Sequence, residues 1–209
     1  MEVSVIVPAY NEETRIARVL DPLTESPFVS EIIVVDDGSR DNLSKIVDNY
    51  HRVNLIRLPN NIGKAGAVRE GLGHCRGRLI LLLDADLVGL TPRHIRNLLS
   101  PLYRKDIEMT IGVFQSGRLI TDLAQRIAPN LTGQRAFRRT LVDDIKGLDM
   151  KGFNMEMAIS DYMKRNKIKY EIVNLDNITH IMKEEKWGLR QGLSHRIMMY
   201  KDILKYWIN

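Results

Sequence analysis

The chain has 209 residues, of which 44% are hydrophobic and 27% charged, with a formal net charge of +5. This length and mixed composition predict one domain with a hydrophobic core and exclude collagen-like and disordered chains. The single cysteine excludes an internal disulfide and a cysteine-rich zinc module. The longest apolar run, Leu79 to Leu83, is too short to span a membrane, and no signal peptide is recognised. We therefore expect a cytoplasmic protein.

The first half of the chain alternates short apolar segments with segments of helical periodicity. Nearly continuous apolar runs are typical of strands buried on both faces of a parallel sheet, and four are found: Val3 to Val7, Glu31 to Val35, Asn54 to Leu58 and Leu79 to Leu83. Helices are predicted at Ile16 to Leu23, Leu43 to Tyr50, Gly63 to Leu72 and Arg93 to Leu99. For the last of them, Thr91 is the predicted N-cap and Pro92 the proline at the first helical position. This order predicts an α/β fold, with a mostly parallel, doubly wound sheet and helices on both faces.

The second half is less regular. Strands are predicted at Glu108 to Phe114, Gln134 to Arg138 and Tyr170 to Leu175, and Met155, Ile159, Tyr162 and Met163 share one helix face. An apolar stripe from Leu189 to Trp207 predicts a C-terminal amphipathic helix, which packs on the core or lies on a membrane surface. No segment resembles a linker, so we expect one domain over residues 1–209.

The residues that directly follow the first four strands are candidates for a ligand site, because open parallel sheets bind ligands beyond the carboxyl ends of their strands. The four segments are Pro8 to Glu13, Asp36 to Ser39, Asn60 to Lys64 and Asp84 to Asp86. The second has an equally good interpretation as a turn with a helix cap. In the third, Gly63 and Lys64 open a helix, and helix N-termini receive phosphate groups well.

The pair Asp84 and Asp86 indicates a metal site. In an extended segment their side chains point the same way, and two carboxylates about 5 Å apart repel by roughly 3 kcal/mol at an effective dielectric near 20. A cation relieves that repulsion, and oxygen ligands favour Mg²⁺ or Mn²⁺. The alternative is a pair of solvated loop aspartates.

Together these motifs resemble the family 2 glycosyltransferases with a GT-A fold. The resemblance rests on Val5 to Glu13, Val35 to Ser39, Asn61 to Ala67 and Asp84 to Leu87, in that order and spacing. It implies transfer of a sugar from a UDP- or GDP-linked donor with the help of Mg²⁺ or Mn²⁺. Residues 1–90 would form the nucleotide-sugar-binding half and residues 91–209 the acceptor-binding half.

The resemblance also implies roles for individual residues. Donor-binding residues would be Pro8, Ala9, Tyr10 and Glu12 around the nucleoside, Asp37 at the base or ribose, and Gly63, Lys64, Asp84, Ala85 and Asp86 near the rest of the nucleotide sugar. Asp86 would hold the metal on the diphosphate and count as catalytic. His180 follows the last strand, where a histidine completes the metal site in some GT-A enzymes.

Part of the second half is similar to dolichyl-phosphate-mannose-synthase-like enzymes. Thr132 to Arg139 and Gly152 to Glu156 carry this resemblance, with Gln134 in place of the usual Phe. It implies acceptor binding by Gly133, Gln134 and Arg135. Glu156 is the candidate catalytic base. If the acceptor is already ionised and needs no base, Glu156 would orient it instead. The structural alternative is a first-turn glutamate that the helix dipole favours.

Several functions stay open from the sequence. The acceptor is a polyprenyl phosphate, with peripheral contact to the cytoplasmic membrane face, or a small phosphorylated or hydroxylated metabolite. A nucleotidyltransferase would carry a Gly-rich basic motif after the first strand, where this chain has Pro8 to Glu13. A catalytically silent nucleotide-sugar-binding protein is a further alternative. With 6% aromatic residues and no interleaving of basic and aromatic side chains, no nucleic-acid partner is expected.

Overall fold

The structure of the chain, a computed structural model, describes residues 2–115, 132–149 and 155–180. Residues up to Thr179 form one compact unit, and a second unit begins at His180. The predicted C-terminal amphipathic helix lies outside the described residues, as do Gly152, Phe153 and Asn154. The single domain over residues 1–209 stays a prediction.

The described residues alternate strands and helices through the first half, as predicted. The strands are β1 (Val3–Ala9), β2 (Glu31–Asp36), β3 (Val53–Arg57), β4 (Leu79–Leu82), β5 (Leu87–Val88), β6 (Met109–Gln115), β7 (Arg135–Arg138), β8 (Tyr170–Asp176) and β9 (Thr179–His180). The α-helices are α1 (Ala17–Glu25), α2 (Leu43–Val47), α3 (Lys64–His74), α4 (Pro92–Leu99), α5 (Val142–Gly147) and α6 (Met155–Arg165). Two 3₁₀ turns cover Ser100–Tyr103 and Arg139–Leu141.

Seven of the strands form one sheet in the order β3-β2-β1-β4-β7-β6-β8. Neighbouring strands are parallel except at β7, which runs antiparallel to both β4 and β6. The prediction of a mostly parallel sheet is confirmed. The direction of β7 was not predicted, and neither was the separate pair β5-β9.

Two hydrophobic clusters lie on opposite faces of this sheet, because successive strand residues alternate between the faces. In β1, Val5 belongs to the cluster that contains buried residues of α1, α2 and α4. The next residue, Ile6, belongs to the cluster that contains buried residues of α3, α5 and α6. The strands at the centre are therefore buried on both faces, which explains their continuous apolar sequence and confirms the predicted helices on both faces.

The start of α4 follows from its sequence. Thr91 is the N-cap and Pro92 the first helical residue, as predicted. The Thr91 backbone N–H donates to His94 Nδ1 at 3.2 Å, so the imidazole completes a capping box. No helix in the described part of the chain has both the length and the apolar character needed to cross a bilayer.

The central position of β7 makes its packing a test of the fold. Phe137 on β7 is fully buried, so Phe137→Ala should lower the free energy of unfolding by about 3–5 kcal/mol in urea denaturation. The matched control is Ile172→Ala on the edge strand β8, where the side chain is 44% exposed and a change within about 1 kcal/mol is expected. Equal losses for both variants would contradict a buried, central β7.

Candidate active site

The carboxyl ends of β1, β2 and β4 lie at one edge of the sheet, since these strands are parallel. Because β7 is antiparallel, its amino end reaches the same edge, and Arg135 pairs with Leu82 of β4. This topology brings Gly133 and Gln134, which precede β7, close to Asp84, which follows β4. Residues from the two predicted halves of the chain therefore meet at this edge.

A lysine between two carboxylates occupies the centre of the site. Lys64 Nζ, from the first residue of α3, lies 2.6 Å from Asp84 Oδ1 and 2.8 Å from Glu156 Oε1. The carboxylate side chains are only 17% and 15% exposed. We call these three residues the Lys64 cluster. It brings together three residues that the sequence predicted for the site, although their mutual contact was not predicted.

The charges of the Lys64 cluster stabilise each other. Burial lowers the pKa of the Lys64 ammonium, but attraction and hydrogen bonds from Asp84 and Glu156 outweigh burial and raise that pKa above its ordinary value. The cation is therefore fixed at neutral pH at the N-terminus of α3. A helix N-terminus also favours negative charge, because its first backbone N–H groups have no partner within the helix.

Gln134 binds the second carboxylate oxygen of Asp84, whereas Lys64 pairs with the first. Gln134 Nε2 donates to Asp84 Oδ2 at 2.7 Å, and the Asp84 backbone N–H donates to Gln134 Oε1 at 3.0 Å. The Gln134 side chain is fully buried. The side chain of Gln134 hydrogen-bonds to Asp84, and acceptor binding by Gln134 stays a prediction.

The Lys64–Asp84 ion pair occupies the space that a side chain at position 133 would need. A Cβ atom there would lie 2.6 Å from Lys64 Nζ and 2.8 Å from Asp84 Oδ1, closer than such atoms approach. The residue packs against the Lys64 cluster, and its predicted contact with an acceptor stays a prediction.

Arg135 is fully buried on the opposite face of the sheet from Gln134. It donates from Nε to the Thr132 carbonyl at 3.2 Å and from Nη2 to the Glu156 carbonyl at 3.2 Å and Ser160 Oγ at 3.3 Å. Burial lowers the pKa of its guanidinium to about 10, against the attraction of Glu156, so the group stays charged at neutral pH. The contacts anchor the first turn of α6, which carries Glu156, and an acceptor contact for Arg135 stays a prediction.

Asp37 holds the loop that precedes α3. Its Oδ1 accepts the Ile62 backbone N–H at 2.7 Å and its Oδ2 accepts the Gly63 backbone N–H at 2.9 Å, while the residue is only 3% exposed. The next residue, Gly38, has φ of +70°, and a Cβ atom there would lie 2.7 Å from the Asn60 carbonyl carbon. This close approach of backbones requires glycine. A contact of Asp37 with a nucleoside stays a prediction.

The loops after β1 and β2 are joined by side chains that the sequence analysis did not identify. The Asn11 backbone N–H donates to Ser39 Oγ at 2.9 Å, and Asn11 Oδ1 accepts the Arg40 backbone N–H at 2.8 Å. Asn11 has φ of +54°, a conformation that Asn tolerates better than most residues. The occurrence of Asn at this turn was the one feature of the sequence that could have indicated this conformation.

The buried Asp36 makes the turn contact that the alternative interpretation of this segment expected. Its Oδ1 accepts the Ser39 backbone N–H at 2.8 Å, and Arg57 Nε lies 3.5 Å from its Oδ2. The segment thus forms a turn through Asp36 and binds the next loop through Asp37.

The predicted nucleoside residues at the end of β1 and directly after it differ in accessibility. Tyr10 is 36% exposed and Pro8 is half-buried, whereas Ala9 is buried. Glu12 is buried and its Oε2 lies 2.8 Å from Arg15 Nη1. The side chain of Tyr10 is therefore the accessible one at the end of β1.

The segment of Asp84 and Asp86 is not extended as predicted. Strand β4 ends at Leu82, and Ala85 and Asp86 form a turn. The two aspartates are half-buried and Ala85 between them is buried. The repulsion expected for Asp84 is relieved by Lys64 and Gln134.

The carboxylates after β4 are too few to hold a divalent metal alone, but they suit one that is also bound by the phosphates of a substrate. Among the described residues no group of three or more His, Cys, Asp or Glu side chains is placed to hold a metal ion. Mg²⁺ binds through one or two carboxylates together with substrate phosphates, rather than in an all-protein cage. Asp86 provides such a carboxylate next to the Lys64 cluster in sequence. The side chain of His180 lies outside the described part of the chain, so its role as a ligand stays a prediction.

Comparisons with known proteins identify the family of the chain. Residues 4–163 match the family model described as glycosyl transferase family 2. Over 154 residues, the chain is 33% identical to a dolichyl-phosphate beta-glucosyltransferase of Dictyostelium discoideum, covering 66% of this chain and 45% of that protein. The human dolichyl-phosphate beta-glucosyltransferase is 40% identical over 100 residues, covering 41% and 31%. The chain thus spans less than half the length of these relatives.

Solved structures confirm the fold. Glucosyl-3-phosphoglycerate synthase from Mycobacterium tuberculosis, in complex with Mn²⁺ and UDP-glucose, matches with a TM-score of 0.73 and 24% identity over 86% of this chain and 71% of that chain. The complex of that protein with Mn²⁺, UDP and glucosyl-3-phosphoglycerate matches with a TM-score of 0.68 and 23% identity, with the same coverage. At this identity the similarity establishes the GT-A fold.

The tight packing of Gly133 can be tested by adding a methyl group. Gly133→Ala should displace the ends of the Lys64 and Asp84 side chains, weaken their ion pair and lower the free energy of unfolding by about 1 kcal/mol, measured by urea denaturation. Gly147→Ala is the control, because a Cβ at this last residue of α5 meets nothing within 4 Å. A Gly133→Ala protein as stable as wild type would show that the ion pair does not need the close approach.

The role of Asp37 can be tested with an isosteric amide. Asp37→Asn replaces one acceptor oxygen by a nitrogen that faces a backbone N–H, so the free energy of unfolding should fall by about 1–3 kcal/mol. Thermal and urea unfolding of the protein without ligand measure this. The exposed Asp48→Asn is the control. Unchanged stability of Asp37→Asn would mean that these two contacts do not hold the loop before α3.

Proposed function

The chain belongs to glycosyl transferase family 2, and we propose that it is a metal-dependent glycosyltransferase that uses a UDP- or GDP-linked sugar. The acceptor is a polyprenyl phosphate or a small phosphorylated or hydroxylated metabolite. The observation that carries the proposal is the Lys64 cluster at the carboxyl ends of the parallel strands, whose Asp84 lies two positions before Asp86 in the chain. It combines a fixed cation, a helix N-terminus and carboxylates, which together suit a nucleotide diphosphate and a metal.

The donor half of the reaction needs positive charge at the leaving group. When the bond between sugar and diphosphate breaks, negative charge accumulates on the diphosphate, and fixed charges stabilise it best when they are already in place. Lys64 is such a charge, because Asp84 and Glu156 hold its ammonium in position before any ligand binds. Tyr10 and the loop that Asp37 fixes border the region proposed for the nucleoside.

Asp86 is proposed as a metal ligand, with His180 as a second one. Bound Mg²⁺ or Mn²⁺ would supply further positive charge to the leaving diphosphate. The Mn²⁺ and UDP-glucose in the complex of glucosyl-3-phosphoglycerate synthase support this choice of metal and nucleotide.

The acceptor half of the reaction depends on Glu156. An acceptor phosphate is already ionised and can attack the sugar without a base, in which case Glu156 and Lys64 orient it. An acceptor hydroxyl must lose a proton, and Glu156 is then the carboxylate that accepts it. The curated relatives act on dolichyl phosphate by name, which supports a polyprenyl phosphate, and the phosphoglyceric acid bound in a structural neighbour supports a small phosphorylated acceptor.

A polyprenyl-phosphate acceptor requires contact with a membrane surface. The proposed anchor is the apolar stripe predicted from Leu189 to Trp207, with Arg190, Arg196 and Lys201 near its edges. Each basic residue near an anionic surface contributes about 1 kcal/mol and is screened by salt. The proposed location is cytoplasmic, on the membrane face.

Donor and metal binding can be tested by thermal unfolding. At about a hundred times its dissociation constant, the correct nucleotide sugar should stabilise the protein by roughly 2.7 kcal/mol, a melting shift of roughly 5–11 °C at this chain length. EDTA should remove most of the shift, and so should Asp86→Ala. Asp48→Ala, an exposed aspartate at the end of α2, should keep it. A full shift in EDTA would contradict the metal dependence.

The acceptor is identified by product formation. The protein is incubated with the donor that stabilises it and with either a polyprenyl phosphate in detergent or 3-phosphoglycerate, and radiolabelled sugar is followed into each acceptor. Transfer to one acceptor identifies its class. Binding of a nucleotide sugar with no transfer to either acceptor would support the catalytically silent binding protein instead.

A further inference from the structure

The side chain of Gln134 is committed to one partner. Its amide nitrogen donates to Asp84 Oδ2 and its amide oxygen accepts the Asp84 backbone N–H. Both contacts fall within the normal range of hydrogen-bond distances, at 2.7 and 3.0 Å. The amide therefore fixes the backbone and the carboxylate of Asp84 together.

The backbone of Gln134 is fixed as well. Its N–H donates to Thr132 Oγ1 at 3.1 Å, and its carbonyl accepts the Gly112 N–H of β6 at 2.8 Å. With no solvent-exposed surface, the side chain is surrounded by protein. Gln134 thus links Asp84 to the sheet.

We propose that Gln134 is a positioning residue, which holds the Asp84 carboxylate so that Asp84 and Lys64 meet the nucleotide donor in a fixed geometry. The two oxygens of Asp84 are bound on different sides, Oδ1 by Lys64 and Oδ2 by Gln134. The carboxylate therefore cannot rotate about its last bond without breaking a charge-assisted hydrogen bond. The proposal rests on the proposed function, because its effect is on donor binding.

A neutral amide is the side chain that suits this task. It supplies one donor for the carboxylate oxygen and one acceptor for the backbone N–H, and it adds no charge. A lysine or arginine would compete with Lys64 for Asp84, and a glutamate would repel Asp84. A hydrocarbon side chain would fill the space but leave Asp84 Oδ2 without this donor.

The test is a double-mutant cycle on nucleotide affinity. The dissociation constants of UDP and of GDP, each with Mn²⁺, are measured by calorimetry for wild type, Gln134→Met, Asp84→Asn and the double variant. Gln134→Met keeps the volume but loses both hydrogen bonds, so affinity for the nucleotide that wild type binds should fall roughly tenfold. In the Asp84→Asn background the same change should weaken binding less than about twofold, since residues that act through one contact are not additive.

The control is Thr110→Val on β6. Thr110 is fully buried and its Oγ1 donates to the Leu98 carbonyl at 2.7 Å, so its loss removes a buried hydrogen bond between β6 and α4 that does not involve Asp84. This variant should be less stable than wild type and bind the nucleotide with unchanged affinity. Should Gln134→Met fail to fold, Gln134→Asn takes its place in the cycle, because it keeps an uncharged amide but is one methylene too short to make both contacts with Asp84.

The outcomes separate the two proposals. If wild type binds neither UDP nor GDP, the proposed function fails and the role of Gln134 fails with it. If wild type binds but the Gln134 variant matches its affinity, or loses the same factor in the Asp84→Asn background, only the positioning role is overturned. A tenfold loss in the wild-type background that disappears with Asp84→Asn supports it.

Discussion

The ion pairs of Lys64 are the constraint on which the site depends. Two mostly buried carboxylates, Asp84 and Glu156, come from distant parts of the chain and would repel each other without a cation between them. Lys64 provides that cation from the first residue of α3. Since α3, α6 and the segment after β4 each contribute one member, the position of each at the sheet edge is tied to the positions of the other two.

Each member of the Lys64 cluster is in turn supported by a neighbour that has a different chemistry. Gln134 holds Asp84 with a neutral amide on one face of the sheet, and Arg135 holds the first turn of α6 with a buried guanidinium on the other. Asp37 fixes the loop before Lys64 through two backbone N–H groups. Gln134, directly before β7, and Arg135, the first residue of β7, thus support Asp84 and the helix turn of Glu156 from opposite faces.

The sequence predicted what local pattern determines. The continuous apolar runs identified β1, β2 and β4, Thr91 and Pro92 marked the start of α4, and the polar residues after the strands identified Lys64 and Asp84. It did not predict the antiparallel direction of β7, because strand pairing depends on partners far away in the chain. For the same reason the roles of Gln134 and Asp37, whose partners are remote, were not apparent. The segment from Asp84 to Asp86 was expected to be extended, but β4 ends at Leu82 and the chain turns at Ala85 and Asp86.

The place of β7 in the sheet has a consequence for how the molecule forms. The parallel strands β1 and β2 pair residues fewer than thirty positions apart, such as Ser4 with Glu31, whereas β4 and β7 pair Leu79 with Arg138 across a long loop. Closing a longer loop costs more chain entropy, and folding rates fall as contacting residues become more distant in sequence. The part of the sheet formed by β1, β2, β3 and β4 can therefore assemble before β7 inserts between β4 and β6. The arrival of β7 then joins β6 to the rest of the sheet and brings Gln134 to Asp84. Glu156 is added only with α6, which follows β7, so a nascent chain has no finished site until α6 is in place.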